Sequence, residues 1–178
     1  MIRSLFLLLI LCFTTPCFAH KPSDSYLRLN IKGKQVGGEW AIALRDLEIA
    51  VGVDENSDGS ITWGELRHRR NAIEAVLLRD LSLQSGSAPC PIQFNELLVD
   101  AYSDGHYAVF QLNAMCRASI ETLEISDQFL FDLDAQHKSL ISLRAGNYAQ
   151  SAILSTDLRQ VTLSIHAPSL WKQFREYA

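Results

Sequence analysis

Methionine is nearly absent. Met1 and Met115 are the only two in 178 residues, so there is no soft, Met-rich surface of the kind that calcium sensors open to grip a partner. A surplus of positive charge is missing as well: 16 Lys and Arg face 20 Asp and Glu, a net charge of -4. No basic footprint for nucleic acid exists. The single basic cluster, Arg67-His68-Arg69-Arg70, reads as a solvated helix face that balances an acidic loop just before it. The chain has no G-x-S-x-G, no H-E-x-x-H, no phosphate-cradling glycine loop and no C-x-x-C pair, which removes the commonest hydrolase, metalloprotease, nucleotide-binding and thiol-redox readings. Repeats and low-complexity segments are also lacking.

Long apolar runs are confined to the start. Leu5 to Phe13 follows Arg3 and leads to Cys17-Phe18-Ala19, a small-residue cleavage pattern. The run is too short for a bilayer span, which needs about 20 residues. The spacing predicts a signal peptide over residues 1–19, cut after Ala19, and one periplasmic or secreted domain over 20–178. Cys12 and Cys17 leave with the signal. Cys90 and Cys116 remain, and in an oxidising compartment they predict one disulfide worth roughly 3–4 kcal/mol in the chain-entropy picture.

From His20 onward apolar residues recur mostly at period two, the mark of half-buried strands. Strands are predicted at Tyr26–Ile31, Trp40–Leu44, Ile92–Tyr102, Tyr107–Cys116, Thr122–Ile125, Leu140–Arg144, Ala149–Leu154 and Val161–His166. Gly37-Gly38 reads as a turn and Asp104-Gly105 as a hairpin signal. A short helical turn is expected over Asp46 to Val51, one long helix over about Thr62 to Asp80, and an amphipathic helix over Ser169 to Ala178 with Leu170, Trp171 and Phe174 on one side. The fold class is therefore mainly β, an antiparallel sandwich with one inserted loop plus helix and a short C-terminal helix.

The inserted loop, Asp54 to Glu65, carries the chemistry. Its sequence DENSDGSITWGE meets every position of the EF-hand calcium pattern D-x-[DN]-x-[DN]-G-x5-E. Calcium takes six to eight oxygens, and a twelve-residue loop supplies them from alternate positions. Asp54, Asn56 and Asp58 stand at one, three and five, Ser60 offers its carbonyl at seven, Thr62 acts at nine, and Glu65 closes the shell at twelve. Gly59 permits the sharp turn, and Ile61 is apolar so that the loop can tuck against a core. The predicted cofactor is Ca²⁺, held weakly because a lone loop has no partner loop, and its role is structural.

His20-Lys21-Pro22-Ser23-Asp24-Ser25-Tyr26-Leu27, Trp40 to Leu47, the loop with Ile61 to Leu66, Asp104 to Val109, and Phe131-Asp132-Leu133-Asp134 with His137 together resemble the extracytoplasmic N-terminal domain of HupE/UreJ-type bacterial membrane proteins. The resemblance implies a periplasmic accessory or interaction domain whose partner is a membrane protein of the cell envelope. It brings no transport activity, because the membrane region that carries it is not part of the similarity. Two other classes compete. A copper or nickel site could form from the amine and imidazole of a mature N-terminal His20 with His106, His137 or His166. An enzyme could use Asp132 and Asp134, predicted on one strand face, although a solvated edge explains them more simply. Asp104 beside His106 is explained by the hairpin. The reading that best joins these features is a non-enzymatic, exported calcium-binding domain.

Overall fold

A computed structural model describes residues 23–166. The signal segment expected over 1–19, the chelate expected at His20 and the helix expected over Ser169 to Ala178 lie outside the described residues. The protein is mainly β; the described residues form ten strands in two sheets and three helices. The order is β1 (Asp24–Lys32), β2 (Gln35–Ala43), α1 (Leu44–Val51), α2 (Trp63–His68), α3 (Arg70–Asp80), β3 (Leu81–Ser85), β4 (Ala88–Pro89), β5 (Ile92–Tyr102), β6 (Gly105–Met115), β7 (Thr122–Asp127), β8 (Lys138–Ala145), β9 (Tyr148–Leu154) and β10 (Gln160–Ser164). Six strands run β5-β6-β2-β1-β8-β9 and four run β10-β7-β3-β4.

The larger sheet is mixed rather than wholly antiparallel, because β1 and β8 pair in parallel, Tyr26 opposite Leu140 and Leu29 opposite Leu143. Period-two patterning assigns faces, but it carries no information on the direction of a neighbour. The pattern itself reappears faithfully. Leu27, Leu29 and Ile31 of β1 are buried while Arg28, Asn30 and Lys32 are exposed. Trp40, Ile42, Phe110 and Leu112 join them in one core shared with Leu83, Leu123 and Ile125 of the smaller sheet. Cys90, just after β4, and Cys116, just after β6, form the expected disulfide and tie the two sheets together. Among the described residues no helix is long and apolar enough to cross a membrane.

Three expectations need correction. The turn lies at Gly33, which has φ +63°, and Gly37-Gly38 sit inside β2. Gly38 is there for close approach: a Cβ would run into the backbone carbonyl of Arg28. Gly38→Ala is expected to destabilise by about 1–3 kcal/mol, the usual cost of overpacking, measurable as a lower urea midpoint. The long helix divides at Arg69 (φ -83°, ψ -1°) into α2 and α3. Asp132 and Asp134 stand on a turn, not a strand. Asp132 pairs with Arg159 at 2.7 Å and Asp134 Oδ1 accepts the Gln136 N–H at 2.8 Å, so each carboxylate has its own separate partner. β3 and β4 went unforeseen because Gly86 and Pro89 make their surroundings read as a loop.

Candidate metal loop and buried polar cluster

The loop is set between helices at both ends. α1 is a full eight residues, longer than the expected turn, because Leu44, Leu47 and Val51 recur on one side and Leu47 is wholly buried. It ends on Gly52, left-handed at φ 69°, whose N–H returns to the Glu48 carbonyl at 2.8 Å. Glu48 then reaches past the cap. Its Oε2 accepts the N–H of Val53 at 2.5 Å and of Asp54 at 2.7 Å, which aims the chain into the loop. At the far end Thr62 is the N-cap of α2. Its Oγ1 accepts the Glu65 N–H at 3.3 Å and Glu65 Oε2 accepts the Thr62 N–H at 2.9 Å, a complete capping box.

Between these ends the acidic and amide side chains turn inward on the loop's own backbone. Asp54 Oδ2 accepts the Gly59 N–H at 2.8 Å, Asn56 Oδ1 the Asp58 N–H at 2.8 Å, and Asp58 Oδ1 the Ser60 N–H at 2.8 Å. Glu65 Oε1 accepts the Glu55 N–H at 3.2 Å and so closes the circle from position twelve to position two. The Thr62 N–H and hydroxyl hold the Glu65 carboxyl below the usual carboxylate range. Ser57 (φ 58°) and Gly59 (φ 82°) are both left-handed. For Ser57 that conformation is strained, and from Asp54 to Ser60 no residue is buried. The hydrogen bonds of its own acids, rather than packing, maintain this backbone.

The six sequence-predicted ligands, Asp54, Asn56, Asp58, Ser60, Thr62 and Glu65, thus share one ring. As the side chains stand, no group of three or more His, Cys, Asp or Glu among the described residues surrounds a common metal position. Asp58 Oδ2 is turned to Asn56 Nδ2 at 3.0 Å and Glu65 Oε2 to the Thr62 hydroxyl at 2.7 Å. The donor set still fits calcium in kind: it is all oxygen, with three carboxylates. Three of the four basic residues after the loop have partners outside the ligand positions. His68 meets Glu55 at 2.8 Å, Arg69 donates to the Val51 carbonyl at 2.8 Å, and Arg70 pairs with Glu74 at 2.6 Å.

A second group of polar residues was not foreseen. Ser23, Asp46 and His137 are buried together, at 6%, 1% and 0% exposure. Ser23 Oγ donates to Asp46 Oδ2 at 2.7 Å and lies 2.5 Å from His137 Nδ1. With Asp46 ionised the hydroxyl proton points to it, so Nδ1 carries the imidazole hydrogen and Nε2 is a bare acceptor. Nε2 has no partner among the described residues, nor does Trp40 Nε1. Phe129 stands edge-on to both Trp40 and His137. Burial pushes Asp46 up, pushes Asp127 up to about 6, and pushes His137 down to about 4. The only sequence signal was a polar residue on a strand's core face, Ser23 and Ser25 in phase with Leu27. His106 is at the hairpin, His137 in this buried cluster and His166 beyond β10, and His20, the residue each was expected to join, lies outside the described residues.

The hairpin is where the sequence put it, with the two-residue turn Ser103–Asp104 closed by Tyr102 opposite Gly105. The Asp104 carboxylate accepts the Tyr107 hydroxyl at 2.8 Å, a local bond rather than a catalytic pair. A hollow of about 660 Å³ on the large sheet is lined by Asn30, Lys32, Gly37, Gly38 and Asn113, with Lys32 its one charged group. No protein-family model matches this chain, and no curated protein matches it.

Proposed function

We propose that this protein is an exported, non-enzymatic accessory domain of the bacterial cell envelope that binds one calcium ion through Asp54, Asn56, Asp58, Ser60, Thr62 and Glu65. The observation that carries the reading is the exposed ring itself: an oxygen-only set with three carboxylates, two left-handed residues and a capping box that brings position twelve back beside position two. Like charges gathered on one loop repel, and a hard cation is the group that reverses the sign of that interaction. On this reading the two sheets form a sandwich around their common core and the helix–loop–helix is an EF-hand-type insertion. The resemblance to HupE/UreJ-type N-terminal domains supplies the envelope setting and a membrane protein as partner. Ion binding requires Asp58 Oδ2 and Glu65 Oε2 to leave Asn56 Nδ2 and the Thr62 hydroxyl. The role is structural, since Ile61 packs against the core and no Met-rich groove exists to be opened.

Trp63 lies within the loop and is 47% exposed, so it reports the ion. Calcium added to chelator-treated protein is expected to change its emission saturably, with a dissociation constant of about 10⁻⁴–10⁻³ M. At 100 times that constant the fold gains about 2.7 kcal/mol and melts later. Glu65→Ala abolishes both responses. If wild-type emission and melting temperature stay constant up to ~10 mM calcium, well past the weak end of such sites, the reading fails.

A further inference from the structure

We propose that the free edge of β5 is a docking site for an extended peptide segment of another protein, with three apolar residues flanked by Lys or Arg. Among the described residues β5 ends the six-stranded sheet and pairs with β6 alone. The hairpin fixes which backbone groups face outward. Tyr102 and Gly105 close the two-residue turn as a hydrogen-bonded pair, and antiparallel pairs alternate. Ala101, Val99 and Leu97 therefore direct their N–H and C=O groups away from β6. The Ala101 N–H is held by Asp100 Oδ1 at 2.8 Å, as an outward amide would be. At the other end the Asn95 carbonyl accepts Arg70 Nη2 at 2.8 Å, beside a bulge between Phe94 and Leu97. Side chains and a bulge commonly blunt a sheet edge. Here they leave one window. Among the described residues nothing outside the ladder bonds to the N–H or C=O of Leu97 or Val99.

The window is apolar. Leu98 is 47% exposed and Val99 43%. Below it lies a hollow of about 440 Å³ lined by Leu44, Ile61, Trp63, Leu66, Leu97 and Val99. Four unpaired backbone groups ask for another backbone, and the hollow asks for an apolar side chain on it. The flanking charge argues against a second copy as the occupant. Two copies pairing antiparallel through Leu97 and Val99 would bring Leu98 against Leu98 and Asp100 against the other copy's Glu96. Like charges directly opposed across strands are destabilising. A register centred on Val99 would need the Ala101 N–H, which Asp100 already holds. A strand with a cation at each flank meets Asp100 and Glu96 favourably and fills the window. The hollow touches the loop at Ile61, Thr62 and Trp63 but at none of its carboxylates.

The probe is a capped synthetic peptide of sequence Ser-Lys-Val-Leu-Phe-Lys-Ser, titrated into the full chain by calorimetry and by amide NMR. Saturable binding below ~1 mM is expected, with shifts at the Leu97 and Val99 amides and in Trp63 emission. Val99→Pro deletes an outward N–H that the β5–β6 ladder does not use, and is expected to weaken binding about tenfold or more at nearly unchanged melting temperature. Asp100→Lys weakens the Lys-flanked peptide and favours a Glu-flanked one; this surface change decides the matter should Val99→Pro fail to fold. The proposal is overturned if no saturation occurs, if both variants bind like wild type, or if sedimentation shows a dimer through β5 that Val99→Pro dissolves.

Discussion

Between pH 4 and 6 the wild-type stability is expected to stay nearly flat, while His137→Phe gains about 3 kcal/mol as the pH falls through that window. Two buried groups with opposite linkage cancel. His137 is pushed from 6.5 down to about 4, mainly by burial, with Asp134 opposing and Arg45 reinforcing. Its depressed value means a contribution present above the unfolded pKa and lost as the pH falls toward the folded one. Asp127 is pushed from 3.8 up to about 6 by burial, with Asp80 adding and Ser139 and the Phe129 N–H opposing. Its raised value means a contribution present at low pH and lost as the pH rises through 6. In the shared window the folded protein holds one proton on Asp127 and the unfolded chain holds one on His137. The proton counts match and the slope vanishes. Asp46, raised as well, inclines the balance slightly toward acid. Removing His137 unmasks Asp127; Asp127→Asn unmasks His137 and gives the opposite slope. Urea unfolding at pH 6.5, 5.5 and 4.5 reads all three. Exposed carboxylates such as Asp132 act alike in each protein, so the differences between variants are the observable. Parallel slopes in the three proteins would refute the compensation.

Phe129→Ala is expected to cost about 3–5 kcal/mol, the range for emptying a buried aromatic site. Phe129 is wholly buried, and its ring centroid lies 5.6 Å from that of Trp40 and 5.7 Å from that of His137, edge-on to both. Its loss would open a cavity beside the Trp40 and His137 rings, each of which carries a buried nitrogen without a partner among the described residues. A cavity with polar walls admits water, which places the expected cost near the lower end of the range. Phe129→Leu keeps most of the volume and is expected to cost less than half as much. For a domain of this size about 3 kcal/mol lowers the melting temperature by roughly 6–12 °C, which calorimetry resolves. A cost for Phe129→Ala below about 1 kcal/mol would show that the ring does not bridge core and polar cluster.

Local chemistry fixed much of this protein in advance. The alternation Leu27-Leu29-Ile31 and the Asp-Gly hairpin are decided within a few residues, because side chains alternate across a strand and a tight turn needs particular φ values. Cys90 and Cys116 paired as counting and compartment implied. The candidate loop was legible for the same reason, since its donors, Gly59 and its capping Thr62 and Glu65 all lie within twelve residues. What tertiary structure alone decided depends on residues distant in sequence. The parallel pairing of β1 with β8 joins segments over a hundred residues apart, and nothing in either strand encodes the direction of its neighbour. Gly38 looked like a turn residue because the need for its missing Cβ comes from Arg28 on the next strand. Ser23, Asp46 and His137 lie on three separate segments, and only burial together turns a hydroxyl, a carboxylate and an imidazole into one hydrogen-bonded unit.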